Sequence, residues 1–567
     1  MQHSKSLPLL ALILPAACSA ASDPADTGTS KSDLIGFPQP IPTFPGPIPT
    51  FEPPPPAPPS CSGRCGEMGG PPSNVFEPCS CLSGCEADGT CCGDYETACT
   101  PETGSCFGFC GGQAPDGCWC DDACTSFGDC CVDESAACDG WPRAFGNSTG
   151  SQNGTAAIAD GDSLFVTGVF EGTVDFGGKS LTRYPGDTTQ DGFVARYSQT
   201  GSLVWVYGIR GPQQQWPHDV AVDGQGFVYV AGHFWNTVDF GDGVPRTSHG
   251  NTDAFLLCLS PGGQFQWVKT FGGGGYDEIM NVVSGDRRWV YVAGSAPGTV
   301  DVGGHVLPSG SHFIAAYDWN GNHRWSRRFD PASGQTPALA LEKTYGDLIV
   351  GDTFSGSFNA GDGPVTSAGS TDVLVARYDY AGTPVLSTFT VGGSGSERLH
   401  GLAVDDWGNV FLSGRFTGTL SVGSQSVVAG SGGNVFLASA TAGGSGRWVR
   451  KLADPPLYSS YDEGNRDLAL DPGGNVWLAA ETNIAMSFGG ASVSPSGWDA
   501  VLASYTNSGA FRSQSVASGT SSQFAYDATA DRHGRGYLVG SSYGTLQVAG
   551  TAIANPTYSD IFVMRSR

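Results

Sequence analysis

An all-β architecture is expected of this 567-residue chain on three grounds. Gly (84) and Pro (37) make up about a fifth of the residues, which favours turns and short strands over long helices. From residue 140 onward, one alternating strand pattern recurs with a period near 60. Sixteen cysteines also crowd between Cys61 and Cys138, where aliphatic residues are too few for a packed core.

Residues 1–21 read as an export signal. Lys5 supplies the positive region, Leu7 to Leu14 the short apolar core, and Pro15 to Ala21 a small-residue cleavage zone. This zone resembles a bacterial lipoprotein signal with Cys18 as the lipid-modified residue. Pro15 stands where that family prefers Leu, and cleavage near Ala20 or Ala21 is the alternative, giving a freely secreted protein. No apolar run of eighteen or more residues follows, so no spanning helix is expected.

Residues 22–60 are expected to be a disordered, proline-rich linker. Ser22 to Asp33 is small and polar, and Pro40-Ile41-Pro42-Thr43-Phe44 is echoed at Pro47-Ile48-Pro49-Thr50-Phe51. Pro53 to Pro56 removes backbone donors and fixes φ, so polyproline II is the expected state. About 22 residues at about 3.1 Å each would span roughly 70 Å.

The cysteines form two sets of eight. The first is Cys61, Cys65, Cys79, Cys81, Cys85, Cys91, Cys92 and Cys99; the second is Cys106, Cys110, Cys118, Cys120, Cys124, Cys130, Cys131 and Cys138. Only one intervening loop differs in length between them. Units of this size need staples, and four disulfides each, at about 2–4 kcal/mol, would replace the missing core. The cysteines require an oxidising compartment, which agrees with export. Eight thiols allow 105 pairings. Zinc is the competing use of such cysteines, but the one-residue and zero-residue gaps do not match paired C-x-x-C knuckles.

Cys79-Ser80-Cys81, the vicinal Cys91-Cys92 and Asp94-Tyr95 in the first unit resemble the signature of the somatomedin B family. Cys118-Trp119-Cys120, Asp121, Asp129, Cys130-Cys131 and Asp133 carry the same resemblance in the second. The resemblance implies two such domains, 61–99 and 106–138. It also implies the pairs Cys61–Cys81, Cys65–Cys99, Cys79–Cys92 and Cys85–Cys91, then Cys106–Cys120, Cys110–Cys138, Cys118–Cys131 and Cys124–Cys130. Members commonly act as protein-binding knots in extracellular proteins, through acidic and aromatic positions near the vicinal pair. Leu82, Thr90 and Glu134 depart from that pattern, so no specific partner carries over.

Residues 140–567 repeat a strand that ends in a small residue. The copies are Phe165-Val166-Thr167-Gly168, Tyr229-Val230-Ala231-Gly232, Tyr291-Val292-Ala293-Gly294, Leu348-Ile349-Val350-Gly351, Phe411-Leu412-Ser413-Gly414, Trp477-Leu478-Ala479-Ala480 and Tyr537-Leu538-Val539-Gly540. A second pattern follows most of them (Gly172-Thr173-Val174-Asp175-Phe176-Gly177), then a third (Asp191-Gly192-Phe193-Val194-Ala195-Arg196-Tyr197), then a strand bearing Trp205, Trp267, Trp325 or Trp448. Four short strands per repeat and seven repeats predict a seven-bladed β-propeller. The last repeat stops at Ile561-Phe562-Val563-Met564-Arg565, before its Trp strand, while Trp141-Pro142-Arg143-Ala144-Phe145-Gly146 at the start matches Trp267 to Gly272. An N-terminal strand closing the last blade is therefore expected, which removes the exposed edges. The repeats resemble the bacterial seven-bladed propeller repeat family across roughly 420 residues, with the run Thr-Val-Asp-Phe-Gly as the most recognisable element.

The chemistry-bearing residue types are sparse. Asp318-Trp319-Asn320-Gly321-Asn322 looks like part of a calcium loop, but other repeats keep only the turn glycine at this slot, so a hairpin turn is expected. Asp175, Asp239 and Asp301 give way to Asn359, Ser421, Ser487 and Gln547, which suits a hydrogen-bonding turn and not catalysis. His218 and His400 occupy matching places, where other repeats have Pro337, Arg466 and Tyr526, and are read as strand residues that line the channel mouth if their strand is innermost. Cys258, in Phe255 to Leu259, reads as a buried hydrophobe. Asn147-Ser148-Thr149 and Asn153-Gly154-Thr155 are glycosylation sequons, relevant in a eukaryotic host. No Ser, His and acid set with recognisable local context is present. No catalytic residue, metal ligand or cofactor is therefore assigned.

Net charge is −26, which lacks the cationic footprint for nucleic acid. The expected function is non-catalytic binding of an extracellular protein or glycan, with membrane contact only through the lipid on Cys18. An extracellular hydrolase or lyase with its site in the channel, and a passive envelope protein, are the alternatives. With Cys18 modified and sixteen cysteines bonded, Cys258 is left over. The denatured, unreduced protein should take up one alkylating group, at Cys258; peptide mapping that finds label between Cys61 and Cys138 would contradict the pairing.

Overall fold

The computed structural model describes residues 141–566, apart from 148–149, 286–288, 332–335, 453–467, 491, 496, 549–550 and 554–557. The export signal with Cys18, the proline-rich linker and both cysteine units lie outside the described residues. Every helix or strand among the described residues is a β-strand.

The strands form antiparallel sheets in which successive strands are neighbours. The first runs from Gln152–Asp160 through Ser163–Phe170 and Asp191–Ser198 to Leu203–Ile209. The innermost strands of successive sheets are Gln152–Asp160, Gln215–Val222, Glu278–Ser284, Ala338–Leu341, Glu397–Val404, Leu468–Leu470 and Gln523–Ala530. Each packs against the next, and Gln523–Ala530 packs back against Gln152–Asp160. The result is a closed β-propeller. Its last sheet is completed by Arg143–Phe145, which pairs with Ser559–Arg565 so that Phe145 lies opposite Ile561.

Five sheets have the expected four strands; the other two have six. In these two, the hairpin of the following repeat joins the outer strand, through Gly392 opposite Ser421 and Ser518 opposite Gln547. Glycine makes this approach possible, since a Cβ on Gly393 would sit 1.8 Å from the Thr419 carbonyl oxygen, and one on Gly519 1.9 Å from that of Thr545. Four other hairpins are separate two-stranded units. In each of these an Asp or Asn side chain closes the turn: Asp175 accepts from the Gly177 and Gly178 amides at 3.0 and 2.7 Å, and Asn359 from Gly361 and Gly363 at 2.8 and 3.0 Å. Ser421 and Gln547 stand at this position in the two hairpins that pair with a neighbouring sheet instead.

The core lies between sheets. One cluster joins Phe165 and Val194 to Val230 and Leu257 of the next sheet, and another joins Val539 and Val563 of the last sheet to Val166 of the first. The repeated tryptophans tie these layers together. Each donates its indole N–H to a carbonyl in the turn of the next sheet: Trp205 to Pro261 at 3.0 Å, Trp267 to Trp319 at 3.0 Å, Trp325 to Tyr380 at 3.0 Å and Trp448 to Asn507 at 2.8 Å. Trp141 makes the same bond to Gln199 at 3.3 Å, from the last sheet to the first. Beneath the indoles lie the recurring turn glycines. Gly263, with φ of 77°, would place a Cβ 2.6 Å from the Trp205 ring, and Gly382 one 2.7 Å from Trp325. Left-handed backbone and lack of room both select glycine here.

Trp141 is buried, with edge contacts to Tyr197 and Tyr537 at 5.9 and 6.0 Å between ring centroids. Trp141→Ala should lower unfolding free energy by ~3–5 kcal/mol, read as a lower urea midpoint. A second prediction concerns pH. Burial pushes Asp191, Asp499 and Asp560, at the starts of third strands, from 3.8 up to about 6; amide bonds from Tyr184 and Gly211 only partly offset this at Asp191. The native state then holds protons that the unfolded chain releases, so this contribution is complete below pH 3.8 and is lost as pH rises through about 6. Urea titrations across this range should show a fall that Asp560→Asn reduces; an unchanged slope in the variant would refute the assignment.

Candidate functional site

Five of the seven innermost strands share a β-bulge near their start. Pairing slips between Gly154 and Ala156, Pro217 and Asp219, Ile279 and Asn281, Leu399 and Gly401, and Ala525 and Asp527. The extra residues are Thr155, His218, Met280, His400 and Tyr526. The place at which His218 and His400 match in sequence is therefore the bulge, which re-aims a side chain away from the regular pleat. Both strands are innermost, as the channel-mouth placement required.

At His218 this brings together residues that spacing alone does not. His218 Nε2 lies 2.9 Å from Nδ1 of His233, on the second strand of the same sheet. Glu278, the first residue of the next sheet, places Oε2 3.5 Å from His218 Nε2 and 3.6 Å from His233 Nδ1. The side chains are 14%, 13% and 34% exposed, so the cluster is sheltered but open to water. Burial holds the His218 imidazole below its usual pKa despite Glu278, which favours the neutral ring. Burial opposes ionisation of Glu278, but the two imidazoles beside it hold its carboxyl far below the usual range. Alongside, Asp219 accepts the Val282 amide at 2.7 Å, which ties the strand of Glu278 to that of His218. His233 and Glu278 carried no sequence signal. One follows a strand-ending glycine, the other opens a strand, and only the bulge and ring packing place them beside His218.

His400 has a different setting. It borders a small cavity with Ser413, Arg415, Glu481 and Trp498. Asp318 is a turn residue as expected: its carboxylate accepts from the Asn320 and Asn322 amides at 3.0 and 2.8 Å and from Arg324 at 2.7 Å. Cys258 is a buried free thiol, and burial pushes its pKa up. In the sequons, the Asn147 side chain donates to the Glu171 carbonyl and Asn153 accepts from Ser541, at 2.7 and 2.9 Å.

A second feature lies at the end of the ring where the innermost strands begin. Tyr543, Glu171 and Trp235 hold one aligned position at the end of the second strands of the last, first and second sheets. They line an open groove of about 460 Å³ with Asn153, Gln190 and Gln214. Trp235 and Tyr543 are 43% and 39% exposed, whereas the same row elsewhere holds Pro297, Ser355, Thr417 and Asn483. Two half-exposed rings flanking a carboxylate and amides therefore mark one sector of the face. His233 precedes Trp235 by two residues, which puts the imidazole cluster next to this sector.

Residues 59–102 match the family model of the Somatomedin B domain, a domain typical of extracellular proteins. No curated protein sequence matches the chain. Among solved structures, a europium-containing methanol dehydrogenase is similar at 11% identity and a TM-score of 0.33, over 75% of this chain and 92% of that one. A puromycin hydrolase is similar at 14% identity and a TM-score of 0.38, over 72% of this chain and 53% of that one. A polysaccharide lyase, an ulvan lyase bound to a GlcA–Rha3S saccharide, is similar at 10% identity and a TM-score of 0.36, over 74% of this chain and 97% of that one. These are likenesses of fold alone.

Proposed function

We propose that this chain is an exported, surface-anchored, non-catalytic binding protein whose propeller face recognises an extracellular glycan. The observation that carries the reading is the groove between Trp235 and Tyr543. Aromatic rings with one exposed face stack on apolar sugar faces, while Glu171, Asn153, Gln190 and Gln214 offer hydrogen bonds to hydroxyls. The ring is read as seven-bladed, with each six-stranded sheet counted as one blade that borrows a neighbour's hairpin. Free variation along aligned polar rows suits loop-based recognition better than a fixed acid–base pair. Residues 22–60 serve as a stalk from a lipid on Cys18. Residues 106–138 form a second Somatomedin B-like domain beside the matched one, with all eight disulfides as the family pattern implies.

Screening the full chain against a glycan array should give specific binding. Trp235→Ala and Tyr543→Ala should each weaken it about tenfold or more, ~1.4 kcal/mol, without lowering the thermal midpoint. An array without specific hits, or hits that both variants keep, would sink the glycan reading. Palmitate labelling of expressing cells should mark the protein and vanish in Cys18→Ser.

A further inference from the structure

We propose that His218, His233 and Glu278 form a binding site for a divalent transition-metal ion, Zn²⁺ being the ion of choice. Three observations carry it, and none depends on what the groove binds.

The first is the donor set. Two imidazole nitrogens and a carboxylate oxygen converge from three strands on two sheets, the only such group of three among the described residues. Imidazole with carboxylate suits Zn²⁺ and its neighbours, whereas Ca²⁺ and Mg²⁺ take oxygen donors.

The second is the spacing. The edges of the donor triangle are 2.9, 3.5 and 3.6 Å. Charge-assisted hydrogen bonds from histidine to a carboxylate close to about 2.7–2.9 Å, so the two contacts to Glu278 are longer than direct bonds should be. Donors about 2.0–2.2 Å from one ion, at angles between about 90° and 120°, stand about 2.8–3.8 Å apart. All three edges fall within that range.

The third is the support. The bulge fixes His218, Trp216 pairs with His233 across the same sheet, and the Asp219 carboxylate holds the backbone of the neighbouring strand at Val282. The partial exposure of all three side chains leaves a path for the ion and water. Three protein donors leave a fourth position open, as in sites that exchange water or a ligand. The ion would also staple two adjacent sheets.

The test uses the full, disulfide-intact chain, stripped with chelator and titrated with Zn²⁺ against a chromophoric competitor. One ion should bind per chain, and Glu278→Gln and His233→Ala should each raise its dissociation constant at least about tenfold. His400→Ala should bind as wild type does. Co²⁺ added to the wild-type chain should give intensified d–d absorption without the thiolate charge-transfer band that cysteine ligation produces; this readout needs no variant. Zn²⁺ affinity unchanged in Glu278→Gln and His233→Ala, or a cobalt spectrum equal to that of the aqua ion, overturns the proposal.

Discussion

One contact organises the ring: an indole on an outer strand donates to a carbonyl in the turn of the next sheet while its face covers that turn's glycine. A β-sheet with two apolar faces cannot stand in water by itself, so each must be clamped to neighbours on both sides. The indole supplies buried area and a directional bond at the outer edge, where interlocked core residues are thinnest. Trp141 makes the same contact across the seam, which is why the chain's first described strand belongs to its last sheet.

That contact also explains the pattern of what recurs and what drifts. Turn glycines persist because left-handed backbone and the overlying ring both exclude a side chain. Hairpin aspartates drift to Asn or Ser because any short side-chain oxygen can accept the turn amides, as Ser487 does from Gly489 at 3.1 Å. The bulge residues drift furthest: Thr155, His218, Met280, His400 and Tyr526 share a backbone geometry but no chemistry. A scaffold of this kind separates the residues that hold the ring from those that give each sector its own surface.

Much of this was legible beforehand. Strand alternation, the period near 60 and the split Trp strand gave the all-β ring and its closure, because these are local patterns repeated along the chain. The turn role of Asp318 followed from comparing repeats, since a ligand set would have kept its carboxylates. The pairing of two hairpins with a neighbouring sheet was not legible, because it depends on glycines at 393 and 519 meeting a strand from the following repeat.

The candidate site divides the same way. The sequence by itself determined that His218 and His400 hold equivalent places and that short strands, not long helices, build the ring. Only the tertiary structure decided that His218 faces His233 and Glu278 while His400 does not. The three residues lie up to sixty positions apart, on strands whose order is local but whose side-chain directions are set by a bulge and by the packing of one sheet on the next. Period and composition record which strands form; they do not record which side chains meet where two sheets touch.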